Sequence, residues 1–175
     1  DRKRTQSYKE NKLRKESQNY LKNKNEWLKQ LNTIVNVNKL NSTNISRITQ
    51  IFNKTNQFNL TTRRLTEIEI QKFYSNKENS LITLEVEDKF GNLGLVGIIG
   101  LSFNDKKDVF INDLILSCRA MGRGVEETML FIIKEVMSKR KSNYLSINKF
   151  AEKLKKSKID NHFRNNKNKG GQLAI

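Results

Sequence analysis

Leu116-Ser117-Cys118-Arg119-Ala120-Met121-Gly122-Arg123-Gly124-Val125-Glu126 is the stretch on which the reading of this chain turns. An apolar run of strand character, residues 109–116, leads into it. Val125, Met129, Ile132, Ile133, Val136 and Met137 follow at once, at offsets that gather on one face of a helix. A strand therefore enters a helix through Arg-x-x-Gly-x-Gly. Glycines at these positions let main-chain amides approach an anion, and the helix N-terminus adds unpaired N–H groups and the positive end of its dipole. Arg119, Gly122, Arg123 and Gly124 are thus the candidate phosphate-holding residues. An ordinary tight strand-to-helix connection has the same pattern.

Upstream of this turn the spacing predicts a meander of strands. Ile82, Leu84 and Val86 alternate on the first, Asp88-Lys89-Phe90-Gly91-Asn92 supplies turn chemistry, and residues 93–101 form a glycine-interrupted apolar run. Antiparallel pairing is the economical topology. Before the meander, Ile34, Val35 and Val37 suggest a short strand, and Ile45, Ile48, Ile51 and Phe52 a helix after the caps Ser42-Thr43-Asn44. Residues 54–64 lack periodicity and read as a loop. Thr66-Glu67-Ile68-Glu69 reads as a capping box opening a second helix, which runs to about Tyr74. Beyond the long helix, residues 143–147 suit a further strand beside the third. Altogether this is an α/β domain with a mixed, mostly antiparallel sheet flanked by helices.

Residues 32–165 hold these elements. Residues 1–31 read as a charged helical arm or linker with a thin apolar stripe of Tyr20, Leu21, Trp27, Leu28 and Leu31, and residues 166–175 as a flexible tail. The first residue is Asp1, which leads us to expect a segment of a longer polypeptide. No apolar run is long enough to span a bilayer and no leader pattern occurs, so a cytoplasmic location is expected. The single cysteine, Cys118, has no internal partner, and paired cysteines or clustered histidines that would ligate a metal are lacking. A formal charge of +16 invites a polyanion. However, Lys is scattered, Asn is abundant, Pro is absent and no recognition motif accompanies the charge, so nucleic acid is not the expected partner.

The order strand, two helices, three-strand meander, glycine turn, long helix, strand resembles that of GNAT acyltransferases. In that fold coenzyme A pyrophosphate sits on an Arg/Gln-x-x-Gly-x-Gly/Ala turn, matched here by Arg119, Gly122 and Gly124. The resemblance implies a GNAT-like acyl-CoA N-acyltransferase fold. It also implies a slot for a pantetheine arm along residues 114–118. A narrower resemblance spans residues 8–139. Residues 53–64 (Asn-Lys-Thr-Asn-Gln-Phe-Asn-Leu-Thr-Thr-Arg-Arg), residues 88–97 and residues 116–126 look like the C-terminal half of FkbH-like proteins. That family fuses a HAD-type phosphatase domain of subfamily IIIC to a GNAT-like domain, and members load glyceryl units from a phosphorylated three-carbon acid onto acyl carrier proteins. The resemblance implies an upstream HAD-type domain, an acyl carrier protein as partner, and coenzyme A or carrier-bound phosphopantetheine as cofactor. No Asp-x-Asp phosphatase signature is present, so HAD chemistry is not carried here. After residue 139 the match to the family loosens, with only Asn148 and His162-Phe163 as partial counterparts.

Transfer to a carrier thiol through an enzyme thioester needs a thiol, and Cys118 is the one available. It lies beside Arg119 and ahead of a helix N-terminus, surroundings that favour a thiolate; a small side chain at a strand end is the alternative. Asn56, Gln57, Asn59 and Thr61 are candidates to bind a hydroxyacyl group, and Arg63 and Arg64 to clamp a phosphate or carboxylate. The same residue types serve equally to satisfy loop backbone or to face solvent. Asp113 and Glu126 are the carboxylates nearest the turn. His162, in the Lys- and Asn-rich tail, reads as a surface residue. Three functions follow: transfer of a hydroxyacyl group, glyceryl as the resemblance implies, to a carrier thiol; CoA-dependent N-acyl transfer to an amine; or a non-catalytic domain docking acidic carrier proteins.

Overall fold

The computed structural model describes residues 2–20, 23–105, 108–142 and 145–147. Residues 148–175 lie outside these, and with them Asn148, His162-Phe163, the tail and the expected boundary at 165. Two helices, α1 (Arg2–Tyr20) and α2 (Lys24–Leu31), stand where one charged helix is expected. The second has its own start, because the Asn23 side chain accepts the Asn25 N–H at 2.9 Å. Trp27 and Leu31 are its buried residues, and the Trp27 indole N–H donates to Ser17 Oγ at 3.1 Å, tying α2 to α1.

Strand β1 (Ile34–Lys39) leads to helix α3 (Ile45–Lys54), whose apolar residues Ile45, Ile48, Ile51 and Phe52 are all buried. Asn44 precedes α3 without capping it. Its amide instead donates to the Lys39 carbonyl at 2.9 Å and fixes the entering loop. The segment expected to be wholly loop contains a two-residue strand, β2 (Phe58–Asn59). Helix α4 (Glu67–Tyr74) opens with the expected capping box, Thr66 and Glu69 satisfying each other's backbone N–H groups.

The meander is β3 (Asn79–Asp88), β4 (Gly91–Phe103) and β5 (Val109–Leu116), antiparallel throughout. A 3₁₀ turn over Cys118–Ala120 links β5 to helix α5 (Val125–Arg140). Strand β6 (Leu145–Ile147) then returns parallel to the start of β5, pairing Val109 to Ile111 with Leu145 to Ile147. The sheet order is β1-β3-β4-β5-β2, with β6 also on β5.

The long central strands are apolar on both faces because both are covered. On one side Val96, Ile99, Leu114 and Leu116 pack against Val125, Met129, Ile133 and Met137 of α5. On the other, Leu95, Ile98 and Ile115 pack against Ile48, Ile51 and Phe52 of α3 and Ile70 and Tyr74 of α4. The three-layer arrangement places the end of β5 and the turn after it beside the C-terminal half of α3.

Candidate functional site

The turn after β5 has the backbone its glycines suggest. Gly122 and Gly124 sit at φ +77° and +81°, conformations that residues with a Cβ rarely adopt. No atom lies within 4 Å of where a Cβ would be at either position, so the glycines answer to backbone geometry and leave the turn's outer surface open. The Gly122 N–H donates to Glu126 Oε1 at 2.7 Å, and Glu126 Oε2 is buried without a partner. A carboxylate of the chain itself thus accepts from this anion-suited amide.

Arg123 points away from the open face of the turn. Its guanidinium lies 3.4 Å from Asp88 Oδ2, whose side chain is fully buried. Arg14 of α1 meets the same carboxylate with two hydrogen bonds, 2.7 and 2.9 Å, and donates to the Gly91 carbonyl at 3.1 Å. Burial, then repulsion from Arg14, holds the Arg123 guanidinium below its ordinary value against the pull of Asp88. The N-terminal arm is therefore joined to the turn through one buried carboxylate.

The loop of residues 55–64 divides into two groups. Asn59, Thr61 and Arg63 face inward. Asn59 donates to the Thr55 carbonyl at 3.2 Å and accepts the Thr62 N–H at 2.9 Å. Thr61 Oγ donates at 2.8 Å, and Arg63 Nε at 3.0 Å, to Asp113 Oδ1 in the middle of β5. The second Asp113 oxygen accepts from Arg63 Nη2 and from the Tyr74 hydroxyl. Gly100 on β4 makes this possible, because a side chain there would collide with the Tyr74 hydroxyl. Burial pulls Arg63 down, but its hydrogen bonds to and attraction for Asp113 outweigh that and raise it. Burial raises the Tyr74 phenol, and the Asp113 charge and hydrogen bond raise it further. Arg63 also stacks on Phe73, 5.0 Å from the ring centroid. Arg64 folds back to donate to the Phe52 carbonyl and to Asn56 Oδ1.

These contacts bear on the expected pantetheine slot. The edge of β5 that β6 leaves beyond Ile111 is taken up by the chain itself: Phe58 and Asn59 pair with Leu116 and Ile115, and the Leu60 N–H donates to the Leu114 carbonyl at 3.1 Å. Residues 114–116 do not offer a free edge. The open space begins at Ser117.

There the structure brings four of the expected residues together. A cleft of about 460 Å³ is lined by Cys118 and Arg119 from the turn, by Asn56 and Gln57 from the loop, and by Arg47, Gln50 and Lys54 of α3. Cys118 is exposed. The α3 residues are absent from the sequence-level expectation, although their spacing by three and then four places them on one helical face and would have grouped them. No group of three His, Cys, Asp or Glu side chains suited to a metal ion occurs among the described residues, and no helix among them is long and apolar enough to cross a membrane.

The sequence matches no family model and no curated protein. Solved structures do match in three dimensions. An acetyltransferase of the GNAT family from Staphylococcus aureus Mu50 superposes with a TM-score of 0.53 at 10% identity, over 76% of this chain and 82% of that one. The chain has the GNAT fold. It also superposes on AAC(6')-Iy in complex with the bisubstrate analogue CoA-S-monomethyl-acetylneamine, with a TM-score of 0.53 at 10% identity over 74% of this chain and 88% of the other. The chain also superposes on a transcriptional regulator from Bacillus halodurans C-125, with a TM-score of 0.55 at 12% identity over 74% of this chain and 91% of the other. Within this fold, strand β2 lies on the edge of β5 and the cleft opens at Cys118.

Proposed function

We propose that this chain is an acyltransferase domain that accepts a small hydroxyacyl group, glyceryl by the family resemblance, on Cys118 and passes it to the phosphopantetheine thiol of an acyl carrier protein. The observation that carries the reading is the exposed Cys118 at the mouth of a cleft it shares with Arg119, Asn56 and Gln57. In the first step the Cys118 thiolate attacks the acyl carbonyl and the donor's leaving group departs with its electron pair. In the second, the carrier thiolate attacks the Cys118 thioester, and the Cys118 thiolate leaves. Atoms balance without an oxidant or reductant. In this reading Asn56 and Gln57 hydrogen-bond the acyl hydroxyls, while Arg119 supplies positive charge where oxyanion character develops. Thr61, Asn59, Arg63 and Arg64 contribute by holding the loop that presents Asn56 and Gln57.

The phosphate of coenzyme A or of a carrier's pantetheine would take the open turn at Gly122 and Gly124, with Arg119 at its start, by displacing Glu126 from the Gly122 amide. The pantetheine thiol supplies the acceptor nucleophile. Its arm approaches Cys118 from the cleft, since β2 covers the β5 edge. An upstream HAD-type domain would supply the activated acyl group. The test is intact-protein mass spectrometry after incubation with a glyceryl thioester. An added glyceryl mass is expected on the native chain and not on Cys118→Ala; an unchanged adduct in the variant rejects the thioester.

A second reading, CoA-dependent N-acylation of an amine, is favoured by the likeness to a GNAT structure holding a CoA-based analogue. In it the amine attacks the CoA thioester directly and Cys118 is not acylated. Saturable acetyl-CoA binding, with amine-dependent release of CoA thiol that survives Cys118→Ala, would select this reading over the first.

A further inference from the structure

Among the described residues three cations line the Cys118 cleft, Arg47 and Lys54 from α3 and Arg119 from the turn, and no carboxylate does. The other arginines held in the body of the domain are matched: Arg14 and Arg123 by Asp88, Arg63 by Asp113. Arg47 is half-buried, forms no ion pair among the described residues, and donates only to the neutral Gln50 side chain at 3.0 Å. Arg119 is also half-buried and has no ion pair or hydrogen bond to a side chain among the described residues. We propose that Arg47 and Arg119, with Lys54 at the rim, form a binding site for a phosphate or carboxylate group of the ligand that reacts at Cys118.

Withdrawing two guanidinium groups from water beside each other is unfavourable unless a counter-charge joins them. The cost is visible in Arg47, which burial first and then repulsion from Arg119 hold below its ordinary value. A scattered surplus of lysine does not produce this arrangement. Fully solvated lysines stand apart and keep their water, whereas these arginines come from two separate elements and converge on one cavity. The guanidinium fork matches carboxylate and phosphate oxygens two at a time, and the cleft has room for a small acyl group together with such an anion. Arg47, Gln50 and Lys54 share one face of α3, so the anion and the acyl hydroxyls would be read by adjacent side chains.

The inference rests on the cleft being the transfer site, but its test measures binding and local potential without turnover, so either idea can fail without the other. Cys118 alkylation by anionic iodoacetate and by neutral iodoacetamide is followed by intact mass. The ratio of the two rates reports the charge around the thiol. It should fall about threefold in Arg47→Gln and in Arg119→Gln, as expected for loss of one unit charge about 6 Å away in water. It should hold in Arg47→Lys, and in Lys72→Gln, which removes an equal charge from the exposed side of α4. Inorganic phosphate should slow iodoacetamide saturably in the native chain and less in Arg47→Gln and Arg47→Lys. Protection by 3-phosphoglycerate at lower concentration than inorganic phosphate assigns the anion to the acyl donor. Protection by phosphopantetheine but not pantetheine assigns it to the carrier arm. Equal ratios in the native chain and both Gln variants would overturn the proposal. So would phosphate protection that does not saturate or ignores Arg47, or a Cys118 that neither reagent modifies.

Discussion

Replacing Arg63 by Gln should destabilise the domain more than replacing its partner Asp113 by Asn, although each change removes the same ion pair. The reason is unequal solvent access. The Asp113 side chain is completely buried, while that of Arg63 keeps 32% of its surface exposed. Without Arg63 the carboxylate retains Thr61 and Tyr74 as its side-chain donors. Stranding a buried charge costs about 3–5 kcal/mol, and two surviving hydrogen bonds put Arg63→Gln near the lower end, at about 3 kcal/mol. Asn at 113 leaves a guanidinium that water already reaches, so the loss is closer to about 1–2 kcal/mol, mainly of charge-assisted hydrogen bonds. In a chain of this size each kcal/mol moves the melting temperature by about 2–4 °C, so Arg63→Gln should melt about 6–12 °C below the native protein. Urea denaturation gives the free energies directly through a lowered midpoint at unchanged slope. The double variant should be more stable than Arg63→Gln alone, because the stranded charge is gone. Equal or inverted costs for the single variants, or a double variant whose loss is their sum, would refute the asymmetry.

Asp88→Asn should cost more than Arg14→Met in the same urea assay, about 3–5 against about 2–3 kcal/mol, because Asp88 answers two buried arginines while Arg14 leaves Arg123 behind as a partner. Gly124→Ala should lose about 1 kcal/mol from its φ of +81° alone, since nothing crowds the added Cβ, and a far larger loss would expose a clash. The Tyr74 phenol is held above its ordinary value, so its proton contributes stability in full below the unfolded value of about 10, and that contribution is lost as pH rises beyond it. The stability gap between the native chain and Tyr74→Phe should therefore narrow from pH 9 to pH 11; a gap that stays constant would contradict this.

Features set by neighbours in the chain were legible before any coordinates. The capping box at Thr66 and Glu69, the helical face of Val125, Met129, Ile133 and Met137, and the two glycines of the turn all depend on residues within a few positions of one another. Strand β2 was not legible. It has two residues, too few for a periodic signal, and it exists because the uncovered edge of β5 has backbone groups to be paired. Helix α2 starts separately for a local reason that composition obscured, namely a capping asparagine, Asn23, between other asparagines at 19 and 25.

Composition, periodicity and turn chemistry sufficed for the α/β class, the strand-turn-helix at residues 109–140 and the choice of Cys118 and its neighbours for attention. Such preferences are local, and local preferences survive into the fold. Tertiary structure alone decided how the polar residues are used. Arg63, Arg123 and Arg64 are equivalent as letters, yet one is drawn to Asp113, one to Asp88 and one to a helix-end carbonyl, while Arg47 and Arg119 line one cleft. Electrostatic partners are chosen by distance in space and by access to water, and neither is written along the chain.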